Sequence, residues 1–297
     1  MNPLAPVLSR RQFLQFTGIS LFMTQFDGFS AFLPTGTGTE LYQARALSAA
    51  PIYSQPNSSI SAVTQLWPDS VYSLLAKRGE WYQLYEGYVH ETAVQPMFTS
   101  TVTTRHFAPG TYASVTGPVA VLRHQADANA TITGRIGHGG ILRIADYLPE
   151  DIGAEAWLAL ADEDGTFLGW SQPGAWSPLS SDLAGDSQIT RVIINRHTQQ
   201  ISAENAQGPL LKAPVTTGPN LRPGDYALSQ RQLSAGSEVY HGLPYALYTG
   251  DSLLVAGAYW HNQFGRPTQE GHPVQLSPIV AAWLYAHLSE TALIRVY

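Results

Sequence analysis

The stretch from Ala256 to Ser277 reads AGAYWHNQFGRPTQEGHPVQLS, and its reading decides the fold of the last third of the chain. Tyr259, Trp260, His261 and Asn262 set two aromatic rings, an imidazole and an amide in a row, and Gly265-Arg266-Pro267 follows as a turn. Gln269-Glu270-Gly271-His272 then puts a carboxylate and an imidazole two residues apart. If that segment is extended, both side chains leave one face, as an acid–base pair requires. A polar loop making local hydrogen bonds is the competing reading. His261, Glu270 and His272 also supply donors that suit zinc, although their spacing matches no metal motif. Just downstream, Ser277 suits a helix N-cap, Pro278 suits the first turn, and Ile279 to Leu284 supply an apolar face, so a short helix starts here.

Composition bounds what surrounds this stretch. A chain of 297 residues has room for two or three domains. Only 13% of residues are charged, while Gly (26) and Pro (20) are generous; that favours short strands and turns over long, Lys- and Glu-faced helices. The net charge of −6 leaves no nucleic-acid footprint. Cysteine is absent, which excludes disulfides, thiolate-held metals and thiolate nucleophiles together.

At the N-terminus, Ser9-Arg10-Arg11-Gln12-Phe13-Leu14 precedes a weak apolar run from Phe16 to Met23. The pattern resembles a twin-arginine export signal, with Arg10 and Arg11 as its paired arginines. The run is far shorter than the ~20 residues that span a bilayer, so no membrane span is expected beyond the signal. Residues 1–39 form signal and linker in this reading, which places the protein in the cell envelope or outside the cell.

Residues 40–98 read as strands punctuated by turns: Val71 to Leu75, Trp81 to Tyr85 and Gly87 to Val89 alternate and are aromatic-rich. Their order resembles a bacterial Src-homology-3 domain opening on a strand at Tyr42–Ala46. A weaker echo follows in residues 106–179. Val119–Leu122 echoes Ile52-Tyr53, Thr131-Ile132 echoes Ser59-Ile60, Trp157–Leu160 echoes Trp81–Leu84, and Gly169-Trp170 echoes Gly87-Tyr88. In such barrels exposed aromatics line shallow ligand grooves, which makes Trp81, Tyr82, Tyr88, Trp157 and Trp170 binding candidates; filling a small core is the competing role. Pro173 to Asp186 reads as a linker.

In residues 187–297, Val192–Asn195, Gln200–Asn205 and Leu210–Val215 read as consecutive strands, a further strand starts at Arg222–Leu228, and Ala292–Tyr297 closes the chain. With the Ala256–Ser277 stretch, this order resembles the L,D-transpeptidase catalytic domain, whose cysteine enzymes cross-link peptidoglycan. The family segment runs roughly His-Gly-x-Tyr-Trp-His-Asn-x-Phe-Gly-x-Pro-x-Ser-His-Gly-Cys, and Gly257 to Pro267 follow it without a gap. The resemblance implies a mainly β chain: two small Src-homology-3-like β-barrels, then an L,D-transpeptidase-like β-sandwich with a short helix near the C-terminus. It also implies a groove lined by Tyr259, Trp260, His261, Asn262 and Arg266.

The reacting positions depart from the pattern. Ala256 stands at the base histidine, and Gln269-Glu270-Gly271-His272 stands at Ser-His-Gly-Cys, so the nucleophile falls on His272, or on Pro273 in another placement. Without thiolate or base, covalent acyl transfer has no agent. The expectation is a catalytically inactive envelope protein that needs no cofactor and binds peptidoglycan, wall peptides or another envelope enzyme. The alternatives are an active wall enzyme using Glu270 and His272 or a bound metal, and a structural or partner-binding protein without wall affinity. In Tyr240-His241-Gly242, His241 could line the groove, but His-Gly more often marks a loop, and it is assigned no role.

Overall fold

The computed structural model describes residues 42–97, 106–151, 155–179, 188–237 and 239–297. The export-signal reading, with Arg10 and Arg11, lies outside the described residues. The described chain is mainly β, with three stretches each enclosing a core of its own.

The first stretch holds β1 (Tyr42–Ala46), β2 (Pro51–Tyr53), β3 (Ala62–Gln65), β4 (Val71–Leu74), β5 (Ala76–Arg78), β6 (Trp81–Leu84), β7 (Gly87–His90) and β8 (Val94–Met97). They form the sheets β4-β1-β8 and β3-β2-β7-β6-β5 around Ala44, Ile52, Leu66, Tyr82, Leu84 and Val89. The second holds β9 (Tyr112–Val115), β10 (Val119–Arg123), β11 (Ile132–Gly137), β12 (Ile141–Leu148), β13 (Trp157–Ala161), β14 (Phe167–Ser171) and β15 (Trp176–Pro178) in one sheet, ordered β11-β10-β14-β13-β12-β9-β15.

The pairing scheme of the first stretch recurs in the second. β2 pairs with β3 and β7, and β10 pairs with β11 and β14. β1 pairs with β4 and β8, and β9 pairs with β12 and β15. The long β12 serves for both β4 and β5: Ile141 to Arg143 pair with β9, and Arg143 to Leu148 pair with β13 across a bulge near Ile144. Gly87 and Gly169 recur at matching points with φ of 141° and 152°. A Cβ there would meet the carbonyl oxygen of Tyr53 or Arg123 within 2.9 Å, so only glycine fits both crossings. An Asx turn recurs too, Asn57 Oδ1 accepting from Ser59 N and Asp127 Oδ1 accepting from Asn129 N.

Two expectations are corrected here. Pro173 to Pro178 is no linker: it forms a 3-10 turn and β15, and Trp176 is fully buried with its Nε1–H on Ser171 Oγ at 2.9 Å. Tyr82 and Trp157 do not line a surface, because strand alternation and a second covering layer turn them into cores.

The last stretch holds β16 (Ile189–Asn195), β17 (Gln200–Asn205), β18 (Gly208–Pro214), β19 (Thr216–Thr217), β20 (Gly224–Ala227), β21 (Gln230–Ala235), β22 (Leu243–Thr249), β23 (Ser252–Gly257), β24 (Val274–Leu276), α1 (Pro278–His287) and β25 (Leu288–Val296). Sheets β18-β17-β16-β25-β20 and β19-β24-β23-β22-β21 face each other across Val192, Ile194, Val255, Val274, Leu276 and Ile294. Helix α1 starts where Ser277 Oγ accepts from Val280 N, and it buries Val280, Ala281 and Leu284 in the same core. The strand order leaves the Ala258–Pro273 connection between parallel neighbours β23 and β24, at the end of the sheet where β12 of the second stretch also arrives.

Candidate functional site

β23 delivers Ala256 and β24 delivers Gln275 to one parallel rung, where the two residues are Cα partners and neither is exposed. Between them the chain leaves as Ala258–Asn262 and returns through Gln269–Pro273. Gly271 turns that return with φ of 83°, a conformation glycine adopts at little cost. The turn separates the two candidate acid–base groups: Glu270 is exposed, while His272 is buried. His272 Nε2–H donates to Ala256 O at 2.9 Å, which fixes the ring on the carbonyl of the residue at the base position, while Nδ1 is buried without a hydrogen-bond partner. Burial pushes its pKa down to about 4, which keeps it neutral at neutral pH. The extended-segment reading of Glu270 and His272 is thereby corrected.

Gln275 organises the rest of the loop. Its Oε1 accepts from His261 Nε2–H at 2.6 Å, and its Nε2 donates to Glu270 O at 2.5 Å and His272 O at 3.2 Å. His261 Nδ1 accepts from Gln263 N at 3.0 Å, so both ring nitrogens are occupied in one neutral tautomer. The metal reading of His261, Glu270 and His272 is corrected on the same ground; among the described residues no group of three or more His, Asp or Glu side chains is arranged to hold an ion. Gln275→Ala would strand the carbonyls of Glu270 and His272 and the His261 N–H. We expect a loss of about 2–4 kcal/mol in stability by denaturant titration, with faster proteolysis inside 268–273.

The expected groove residues lie against the other two stretches. Tyr259 is a core member of the second stretch, packed with Ile136 and Leu142, and its hydroxyl donates to His241 O at 2.7 Å. Its carbonyl accepts from Arg45 Nη2 of β1 at 3.2 Å, and Arg45 Nη1 donates to Pro118 O at 3.0 Å. Arg45 therefore ties all three stretches at one point. Gly137 makes room for this: a Cβ there would strike Arg45 Nη1 and the Tyr259 ring within 2.8 Å. Asn262, also buried, donates from Nδ2 to Glu91 O at 2.9 Å. Arg266 pairs with Glu80 at 2.7 Å, an exposed contact that adds little stability. Gln95 Nε2 donates to His138 O at 2.8 Å, and Ser234 Oγ donates to Ile141 O at 2.6 Å. The segment that reads as a groove is thus mortar between three units.

Trp260 stacks on Tyr240 with centroids 3.8 Å apart and planes at 10°. That pair, with His241, forms one wall of a cleft of about 460 Å³ at the junction of the three stretches. His241 Nδ1 lies 2.7 Å from Asp162 Oδ2, joining the second stretch to the third. Burial raises the Asp162 carboxyl, and the His241 partner opposes that rise. Tyr240-His241-Gly242 lies between strands as a loop, and its Tyr240 and His241 line this cleft although the sequence assigned them no role. Its one local signal is Gly242, whose positive φ brings the backbone against Ile141, where Ile141 N donates to Gly242 O at 3.0 Å.

Of the aromatics singled out as binding candidates in the first two stretches, Trp81, Tyr88 and Trp170 are partly exposed. Trp67 and Tyr85, which sequence reading did not single out, are more exposed at 64% and 72%. Trp67 closes a shallow depression with Val63 and Pro51 on the first stretch.

No family model and no curated protein matches this chain. Among solved structures, the fold is similar to L,D-transpeptidases. One from Stackebrandtia nassauensis is 17% identical with a TM-score of 0.32, over 40% of this chain and 60% of that one. One from Mycobacterium smegmatis is 13% identical with a TM-score of 0.33, over 52% and 99%. The Enterococcus faecium catalytic domain is 13% identical with a TM-score of 0.32, over 38% and 100%. The chain spans 62% of the first such structure, from Xylanimonas cellulosilytica. At these identities and TM-scores the likenesses assign this chain neither an activity nor a ligand.

Proposed function

We propose that this chain is an exported cell-envelope protein built on an L,D-transpeptidase-like domain that no longer performs acyl transfer. In this reading the repeated stretches are bacterial Src-homology-3-like units, and the protein binds peptidoglycan or a wall protein. One observation carries the proposal: the frame from Gly257 to Pro267 is kept, yet the base position is the buried methyl of Ala256 and the His272 imidazole is bound to the Ala256 carbonyl. An acyl-transfer site needs a nucleophile, a base and oxyanion donors around open space. No cysteine exists in the sequence to supply the first from elsewhere. The retained residues have another use that explains their retention, as the Tyr259, Asn262 and Arg45 contacts illustrate.

The test pairs two measurements on the purified protein. The Enterococcus faecium catalytic domain is known in a form acylated by ertapenem. Incubating this protein with ertapenem and weighing it by intact mass spectrometry should give the unmodified mass. A stoichiometric adduct would overturn the inactive reading. Co-sedimentation with purified sacculi should retain the protein; a protein that stays in the supernatant while a cross-linked soluble partner is recovered would replace wall binding with partner binding.

A further inference from the structure

Among the described residues that line the cleft at the junction of the three stretches, two guanidinium groups face one carboxylate. The charged lining groups are Arg45 of β1, Asp69 of the loop between β3 and β4, Arg135 of β11 and His241. Asp69 serves two guanidinium groups: its Oδ2 sits 2.8 Å from Arg135 Nη1, and its Oδ1 sits 4.0 Å from Arg45 Nε. The second distance is an ion pair without a hydrogen bond, and Arg45 Nε is buried with no hydrogen-bond partner. Asp162 is taken up by His241 at 2.7 Å and lies outside the lining, so it is not a counter-charge for either arginine. Arg45 is held by Pro118 O, Tyr259 O and Asp69, while Arg135 stays exposed on the lining, so an anion entering the cleft would meet Arg135 with the Arg45 charge behind it.

The rest of the lining fits a small organic acid better than a bare ion. The Tyr240–Trp260 stack offers a flat apolar wall, with Val239 exposed beside it. β11 also lines the cleft; it is an edge strand paired to β10, and Gly134 leaves backbone rather than side chain on its part of the lining. An unpaired strand edge offers N–H and C=O groups to an extended peptide. A volume of about 460 Å³ lies within the range of small-ligand sites.

We propose that this three-way cleft binds the free carboxylate end of a short peptide, the carboxylate meeting Arg135 and the Arg45–Asp69 pair while the peptide backbone runs along β11. This rests on the wall-binding reading only in supposing that such peptides are present in the envelope; the cleft itself lies apart from the Ala256–His272 position.

The probe is N-acetyl-alanyl-alanine, with its C-terminal amide as control, titrated calorimetrically into the full-length protein. The carboxylate form should bind and the amide should bind roughly ten- to a hundredfold more weakly, the span that one or two charge-assisted hydrogen bonds produce. Arg135→Ala, which removes an exposed guanidinium together with its Asp69 contact, should weaken the carboxylate form by a similar factor; Val239→Trp, which introduces uncharged bulk at the rim, should weaken both forms. Equal binding of acid and amide, or indifference to Arg135→Ala, would overturn the proposal, as would no heat at millimolar probe. Sacculus co-sedimentation keeps the two readings apart. Wild-type protein that sediments but ignores the dipeptide sinks the cleft while leaving wall binding intact, and dipeptide binding without sedimentation does the reverse.

Discussion

Tyr259→Ala is expected to lower the unfolding free energy by about 3–5 kcal/mol, the cost of removing a large aromatic from a packed core. The size follows from where the ring sits. Tyr259 belongs to the sequence of the last stretch and to the core of the second, with its edge on Trp260 and its hydroxyl on His241 O. Truncation empties that core position and also strands an acceptor in the seam. Tyr259→Phe removes only the hydroxyl and should cost about 1 kcal/mol. Denaturant unfolding followed by tryptophan fluorescence and by circular dichroism measures both. The alanine variant should also separate the two transitions, because the second and third stretches lose their shared residue. A single unshifted transition for Tyr259→Ala would mean that the seam contributes nothing to stability.

Acidification is expected to produce the second large effect. Burial lowers the pKa of both His138 and His272 to about 4, from an ordinary value near 6.5. The folded state thus keeps both rings neutral where the unfolded state protonates them. A lowered imidazole pKa means that the full contribution is present above pH 6.5 and drains away as the pH falls toward 4, because only the unfolded state takes up the proton. Each ring contributes about 3 kcal/mol across that interval, from roughly 2.5 units at 1.36 kcal/mol each. Below pH 4 the loss levels off for these groups. Nearby charges act the same way: Arg45 faces His138 and His261 faces His272, and each disfavours the protonated ring. Unfolding free energies measured from pH 7 to 4 should fall with a slope that shrinks in His138→Gln and again in the His138→Gln/His272→Gln pair. A flat profile would show that both rings are solvated.

The local grammar of the chain was readable where it was local. Ser277-Pro278 starts α1, and the runs Gln200–Asn205 and Trp81–Leu84 are strands, because N-cap chemistry and two-residue alternation act over neighbouring positions. Alternation could even have sorted the aromatics, since Tyr82 and Leu84 share the buried face while Trp81 and Gln83 share the other. Strand β21 escaped reading because Gln230-Arg231-Gln232 gives it no apolar period, its support being the cross-strand ladder to β22. The seam was illegible for a different reason. Arg45 meets Tyr259 across 214 positions and Asn262 meets Glu91 across 171, and no window of sequence carries such a pairing. The residues expected to line a groove are neighbours in sequence, but which surface they face is set by the packing of other stretches.

That long-range knot bears on how the chain reaches its folded state. The first and second stretches each close most of their contacts within their own span and can order early as they leave the ribosome. Arg45, placed in the first strand of the first unit, has no acceptor at Tyr259 until the last stretch has formed β23. Until then its Nη2 lacks that acceptor, although Asp69 and Pro118 O lie within the first two stretches, and the flank of the second core, which Tyr259 later fills, remains open. Assembly is therefore a late docking step, governed by loop closure across the whole chain rather than by the speed of any one sheet. The same arginine that marks the cleft is the latch that records when the molecule is finished.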